Sequence, residues 1–122
     1  MSLLVKIASA TALIPVGFGI NAFLNPASAL SFFKLPYPSS PSNRVLIDSL
    51  LAVYGARDIF MGLAIWSCAA YGARKPLGWV MLSVAAMAVV DGAVCVKAGT
   101  GCEWSHWGYA PMVAILGVAL LR

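Results

Sequence analysis

The stretch Pro76–Ala98, PLGWVMLSVAAMAVVDGAVCVKA, decides the class of this chain. A helix needs about 20 mostly apolar residues to cross the ~30 Å hydrocarbon core of a bilayer. This run has that length. It opens on a proline suited to a first helical turn, and Gly99-Thr100-Gly101 ends it. One acid, Asp91, interrupts Val89-Val90-Asp91-Gly92.

Outward from this segment, three more apolar runs repeat the pattern, over about residues 3–24, 44–71 and 104–121. The first is long for the apolar part of a signal peptide. It stops at Asn25-Pro26, a helix terminator rather than a small-x-small cleavage site, and a kink is expected near Pro15. Ala27–Leu35 reads as a short amphipathic segment at the interface. Pro36–Asn43 holds three prolines and reads as a loop, with Ser42 or Asn43 capping the second span. Pro111 is expected to bend the fourth. Trp79, Trp104, Trp107 and Tyr109 lie near segment ends, where an aromatic belt belongs. Gly55 and Gly62, or Ala85, Ala86 and Ala88, would let backbones approach closely.

Composition agrees with a lipid solvent. Of 122 residues, 61% are apolar and 10% charged, and the mean hydropathy is +0.90. A soluble domain of this size keeps too much surface exposed to hide so many apolar side chains. Short connections make sequential helices antiparallel, so the expected fold is all-α, a single up-down-up-down four-helix bundle in the membrane. Lys6, Arg74-Lys75 and Arg122 share one face, against Lys34, Arg44 and Lys97 on the other. The positive-inside rule then gives both termini in the cytosol.

The net charge of +4 does not mark a nucleic-acid binder. The eight basic residues are scattered, and only Arg74-Lys75 are adjacent. Anionic headgroups are the simpler partner. Cys68, Cys95 and Cys102 have no metal-type spacing. Cys95 and Cys102 fall near one membrane face and could pair if it is oxidising, although free thiols are the simpler expectation. With a single histidine, no protein-only metal site and no cofactor are expected.

The residues that cost most in lipid point to function. Arg57 and Asp58 lie at the centre of the second span, Asp91 in the outer half of the third, and His106 at the start of the fourth. An ionised side chain at the midplane costs at least ~2.5–3.5 kcal/mol on insertion scales, so these groups should face inward and find partners. Tyr54 and Asp58 are i,i+4 neighbours. Asn21 and Asn25 share a face of the first span, and Asp48 is expected to pair with Arg44.

Two carboxylates with an arginine and a histidine form an acid–base set. Asp58 beside Arg57 is expected to stay ionised, with the less paired Asp91 as proton donor. Arg57, Asp58, Asp91 and His106 are the candidate catalytic residues. Asn21, Asn25, Tyr54 and Trp107 are candidates for binding a lipophilic small molecule. No serine elbow, phosphate loop or HExxH motif is present.

The pattern Gly55-Ala56-Arg57-Asp58-Ile59-Phe60-Met61-Gly62, then Asp91, then His106, with Asn25-Pro26 after the first helix, resembles a known family. Its members are small four-helix integral membrane proteins of fungi and bacteria, described only as a domain of unknown function. Some occur in fungal gene clusters for polyketides and terpenoids. The resemblance implies epoxide hydrolysis or epoxide-opening cyclisation, with Arg57, Asp58, Asp91 and His106 as the site. It also implies the endoplasmic reticulum membrane if the source is fungal and the plasma membrane if bacterial. Soluble epoxide hydrolases of the limonene-epoxide type use the same Asp–Arg–Asp residue types on another fold. The expected function is therefore an intramembrane hydrolase or cyclase. A binding or transport module, or accessory subunit of a partner enzyme, is the alternative, and transport would require an assembly of copies. A third reading makes the charges helix glue.

Overall fold

The computed structural model describes residues 1–122 and is all-α. In chain order the elements are α1 (Leu3–Thr11), α2 (Leu13–Leu24), α3 (Pro26–Ser31), α4 (Pro41–Ala70), α5 (Arg74–Ala98), α6 (Glu103–Trp107) and α7 (Ala110–Leu121). Four helical segments are long and apolar enough to cross a membrane: Leu3–Leu24, Pro41–Ala70, Arg74–Ala98 and Glu103–Leu121, here spans one to four.

Proline chemistry explains the breaks. Pro15 has no N–H for the Thr11 carbonyl, and span one is interrupted at Ala12 between α1 and α2. Pro111 likewise has none for Trp107, and span four breaks at Gly108-Tyr109. Pro41 does not exclude helix as the loop reading expected. It occupies the first turn of α4, where its missing N–H costs nothing, so span two starts at Pro41 with Ser40 at the cap position in place of Ser42 or Asn43. The third span also begins slightly early, at Arg74. Gly99 closes α5 in the left-handed region, at φ 66°.

The bundle consists of two tightly joined hairpins. In the first, α2 lies against α4 with Gly19 facing Gly55. A Cβ on Gly19 would sit 2.6 Å from the Gly55 carbonyl oxygen, and Gly62, about two turns further along α4, accommodates Val16. In the second, Gly78 of α5 faces Gly117 of α7, where a Cβ on Gly78 would lie 2.9 Å from the Gly117 oxygen. Lipid gives no hydrophobic drive for helix association, so this backbone approach and its dispersion contacts carry the packing.

The hairpins share a core at the end holding both termini, built from Val5, Ala8, Ile65, Leu77, Met81 and Leu120 among others. Large side chains such as Val53, Phe60 and Ile115 point outward to the lipid, while the interior is filled largely by small ones. The opposite end, here the loop end, is closed by α3 and the turn after it. Ala29, Leu30 and Phe33 are buried there, so one face of this segment packs into the bundle. Lys34, at φ 51°, donates from Nζ to the Gly101 carbonyl at 3.1 Å and fastens the segment to the α5–α6 loop.

Two expectations at this end are corrected. Cys95 and Cys102 are not free thiols but form a disulfide, with Cα atoms 5.4 Å apart, because the left-handed turn at Gly99 and Gly101 brings the chain back over α5. Asp48 does not pair with Arg44. Its carboxylate accepts from the Tyr37 hydroxyl at 2.8 Å, while Arg44 Nε donates to the Pro38 carbonyl at 2.8 Å and its guanidinium lies over the Tyr37 ring.

Candidate functional site

Asp58 belongs to the buried face of α4 that starts with Leu51 and Gly55 and runs on to Gly62. It is the one buried charged residue, 3% exposed. Arg57, the next residue round the helix, would point some 100° away if extended. Instead its side chain folds back. Nε and Nη2 donate to Asp58 Oδ1 at 3.0 and 2.9 Å. The same guanidinium grips Asp91 of α5 as a two-pronged fork, Nη1 to Oδ1 at 3.1 Å and Nη2 to Oδ2 at 3.0 Å. Tyr54, one turn before Asp58, covers the guanidinium with its ring, 4.4 Å from centroid to Cζ. Arg57 thus links the two hairpins, drawing one acid from each.

The pairing of the two acids differs from the one expected. Asp91 is not the less paired carboxyl. Both of its oxygens are held, in the geometry that best satisfies a carboxylate. Asp58 receives both of its arginine bonds on Oδ1, which leaves Oδ2 clear of the guanidinium.

Both acids face a cavity of about 270 Å³ between the four spans. Ile14, Pro15 and Phe18 of span one and Phe32 beyond α3 supply one side. Tyr54, Asp58 and Met61 line it from α4, and Val84, Met87, Ala88 and Asp91 from α5. Ser105, His106 and Tyr109 complete it from span four. His106 stacks on Phe33, with ring centroids 4.9 Å apart, and its Nε2 is buried without a hydrogen-bond partner. Donor atoms of Cys95, Cys102 and His106 lie within 4.8 Å of one another. The two sulfur atoms are bonded to each other and offer no thiolate to a metal.

Of the residues singled out in the sequence, Tyr54, Asp58, Asp91 and His106 meet at this cavity, with Arg57 bracing the two acids from behind. Asn21, Asn25 and Trp107 do not line it. Asn25 caps α3, its side chain accepting from the Ser28 N–H at 3.1 Å, and Asn21 donates to the Ser28 hydroxyl at 3.2 Å. Asn before a proline at a first helical turn is a capping signature. Trp107 turns outward, donating to the Val89 carbonyl at 3.1 Å and packing on Gly92, where any side chain would collide with it.

Met61, Met87, Ser105 and Tyr109 line the cavity and were not anticipated. Helical spacing marks them: Tyr54, Asp58 and Met61 follow one face by steps of four and three, as do Val84, Met87 and Asp91.

Comparison with known proteins bears on the family alone. A family model described as a domain of unknown function, DUF4267, matches residues 12–120. The chain belongs to that family, in line with the resemblance to small four-helix membrane proteins of unknown function. No curated protein and no solved structure matches it.

Proposed function

We propose that this member of the DUF4267 family is an intramembrane acid–base catalyst that opens an epoxide on a lipophilic intermediate, by hydrolysis or by cyclisation onto an internal hydroxyl. The observation that carries the reading is the Asp58–Arg57–Asp91 cluster facing an otherwise largely apolar cavity. Charge in such surroundings is expensive to keep, and both carboxyl groups are aimed at space a small molecule can occupy.

Two carboxylates and one guanidinium sum to minus one, and a single proton makes the cluster neutral. In that state one carboxyl donates while the other accepts. Asp58 Oδ2, free of the arginine, is the atom to hold the proton and pass it to the oxirane oxygen. Asp91, held as a carboxylate, takes the proton from the attacking water or hydroxyl as the new C–O bond forms and the epoxide C–O bond breaks. Returning that proton from Asp91 to Asp58 restores the cluster. The net reaction is epoxide plus water to diol, or epoxide-alcohol to cyclic ether of equal mass. His106 relays protons at the loop end, and Tyr54 shields the guanidinium from the substrate.

The membrane would be the endoplasmic reticulum in a fungal source and the plasma membrane in a bacterial one, with both termini cytosolic. The Arg57 bonds also favour a second reading, in which the cluster serves only to join the hairpins.

The test is mass spectrometry of lipid-soluble products in H₂¹⁸O, using the protein in nanodiscs with lipophilic epoxides, alone or bearing a neighbouring hydroxyl. Expected are a diol carrying one ¹⁸O, or an isomer carrying none. Asp91→Asn and Asp58→Asn should each lower the rate by about 10²–10⁴-fold with the fold intact. Undiminished turnover in Asp91→Asn would sink the assignment.

A further inference from the structure

We infer that the cavity opens sideways into the bilayer, between span one and span four, so that its substrate arrives dissolved in lipid rather than from water. The inference rests on the reading of the cavity as a substrate site, and it follows from which sides of the cavity are closed.

The floor is closed. Met61 and Val84 continue directly into the core of Ile65, Met81 and Leu77 at the terminal end. The roof is closed as well. Phe33, Cys95 and Cys102 pack together beneath Leu35, the disulfide ties the α5–α6 turn down, and Lys34 fastens the segment after α3 to Gly101. The α4 and α5 walls are joined by the Arg57 bonds between them.

The fourth side differs. α2 is drawn onto α4 by Gly19 and Gly55, and α7 onto α5 by Gly78 and Gly117. Span one therefore meets span four chiefly at the terminal end, through α1 and α7. Nearer the loop end the two spans diverge, and the lining residues there are also surface residues. Ile14 is 39% exposed, Phe18 38% and Phe32 44%, and Ser105 across the gap is exposed too. Phe18 and Phe32 touch edge to face, with centroids 4.9 Å apart, and form one jamb of the opening.

The dimensions narrow the substrate class. At about 270 Å³ the cavity is larger than the roughly 150 Å³ that holds a benzene ring. The fitting ligand is a compact apolar molecule somewhat larger than one ring, or the end of a longer chain whose remainder stays in lipid.

The test is chemical access to Met87→Cys, a lining position outside the acid–base cluster, with Cys68 replaced by serine and the protein in nanodiscs that expose both faces. The probes are an uncharged alkyl methanethiosulfonate and its cationic trimethylammonium analogue. The uncharged reagent should react faster, by roughly 70- to 400-fold, the factor set by inserting a charge into the bilayer. Phe18→Ala and Phe32→Ala should raise its rate severalfold, while Phe60→Ala, on a lipid face away from the cavity, should not. Equal rates for the two reagents would mean an opening to water and overturn the inference. So would no reaction with the uncharged reagent, or a rate indifferent to Phe18 and Phe32. Access is read without turnover, so a lateral opening with no epoxide chemistry would refute only the proposed reaction, and the converse would refute only the entrance.

Discussion

Arg57→Met is the substitution whose effect the structure fixes most closely. It removes four N–H···O bonds of 2.9 to 3.1 Å and leaves two carboxyl groups facing each other without a cation. Stranding one partner of a buried pair costs about 3–5 kcal/mol. Arg57 is partly exposed, its side chain at 29%, but it lies at mid-span, where water does not screen it. The full range is therefore expected, a shift of roughly 160- to 5000-fold in the unfolding equilibrium. The triple variant Arg57→Met, Asp58→Leu, Asp91→Leu strands nothing and should recover stability to within about 1 kcal/mol of the natural protein, or exceed it. Unfolding by SDS in mixed micelles, followed by tryptophan fluorescence, reads all three proteins. A loss below about 1 kcal/mol in the single variant would place the cluster in water like a surface pair and refute the argument. A triple variant as unstable as the single would show that stranded charge is not the cause. A stable triple variant that turns over no substrate would separate the catalytic reading from the glue reading.

Three further outcomes are expected. Gly19→Ala should cost about 1–3 kcal/mol by forcing α2 off α4, whereas Gly17→Ala, with no atom within 4 Å of the new methyl, should be neutral in the same unfolding assay. Reducing the Cys95–Cys102 disulfide, which closes a loop of sequence separation 7, should lower stability by about 2 kcal/mol, read as a fall in Tm with reductant that is absent in Cys95→Ala/Cys102→Ala. The hydrogen bond to Asp48, aided by desolvation, raises the Tyr37 phenol above its ordinary value of 10.0. Because the folded value is the higher one, this bond's contribution is complete below the unfolded value and is lost as pH rises through the folded value. Difference absorbance against Tyr37→Phe should show phenolate forming later than in a free tyrosine, and Asp48→Asn should bring it back toward 10.

The sequence by itself determined the four spans and the list of charges that must turn inward. Each follows from a local quantity, the cost of putting a given residue into lipid, and needs no knowledge of neighbours. Tyr54 and Asp58 could be put on one face for the same reason, since helical periodicity belongs to one chain segment. How one helix turns toward the next is not local. The Gly19–Gly55 and Gly78–Gly117 contacts set that rotation, and with it which acid the Arg57 fork would grip. The bonds of Asn21 and Asn25 to Ser28 and the seating of Trp107 on Gly92 likewise appear only in the folded chain. The disulfide depended on a left-handed turn that folds Cys102 back onto Cys95. The opening between spans one and four is likewise a tertiary decision: each hairpin closes tightly on itself, and the space left between them is the cavity.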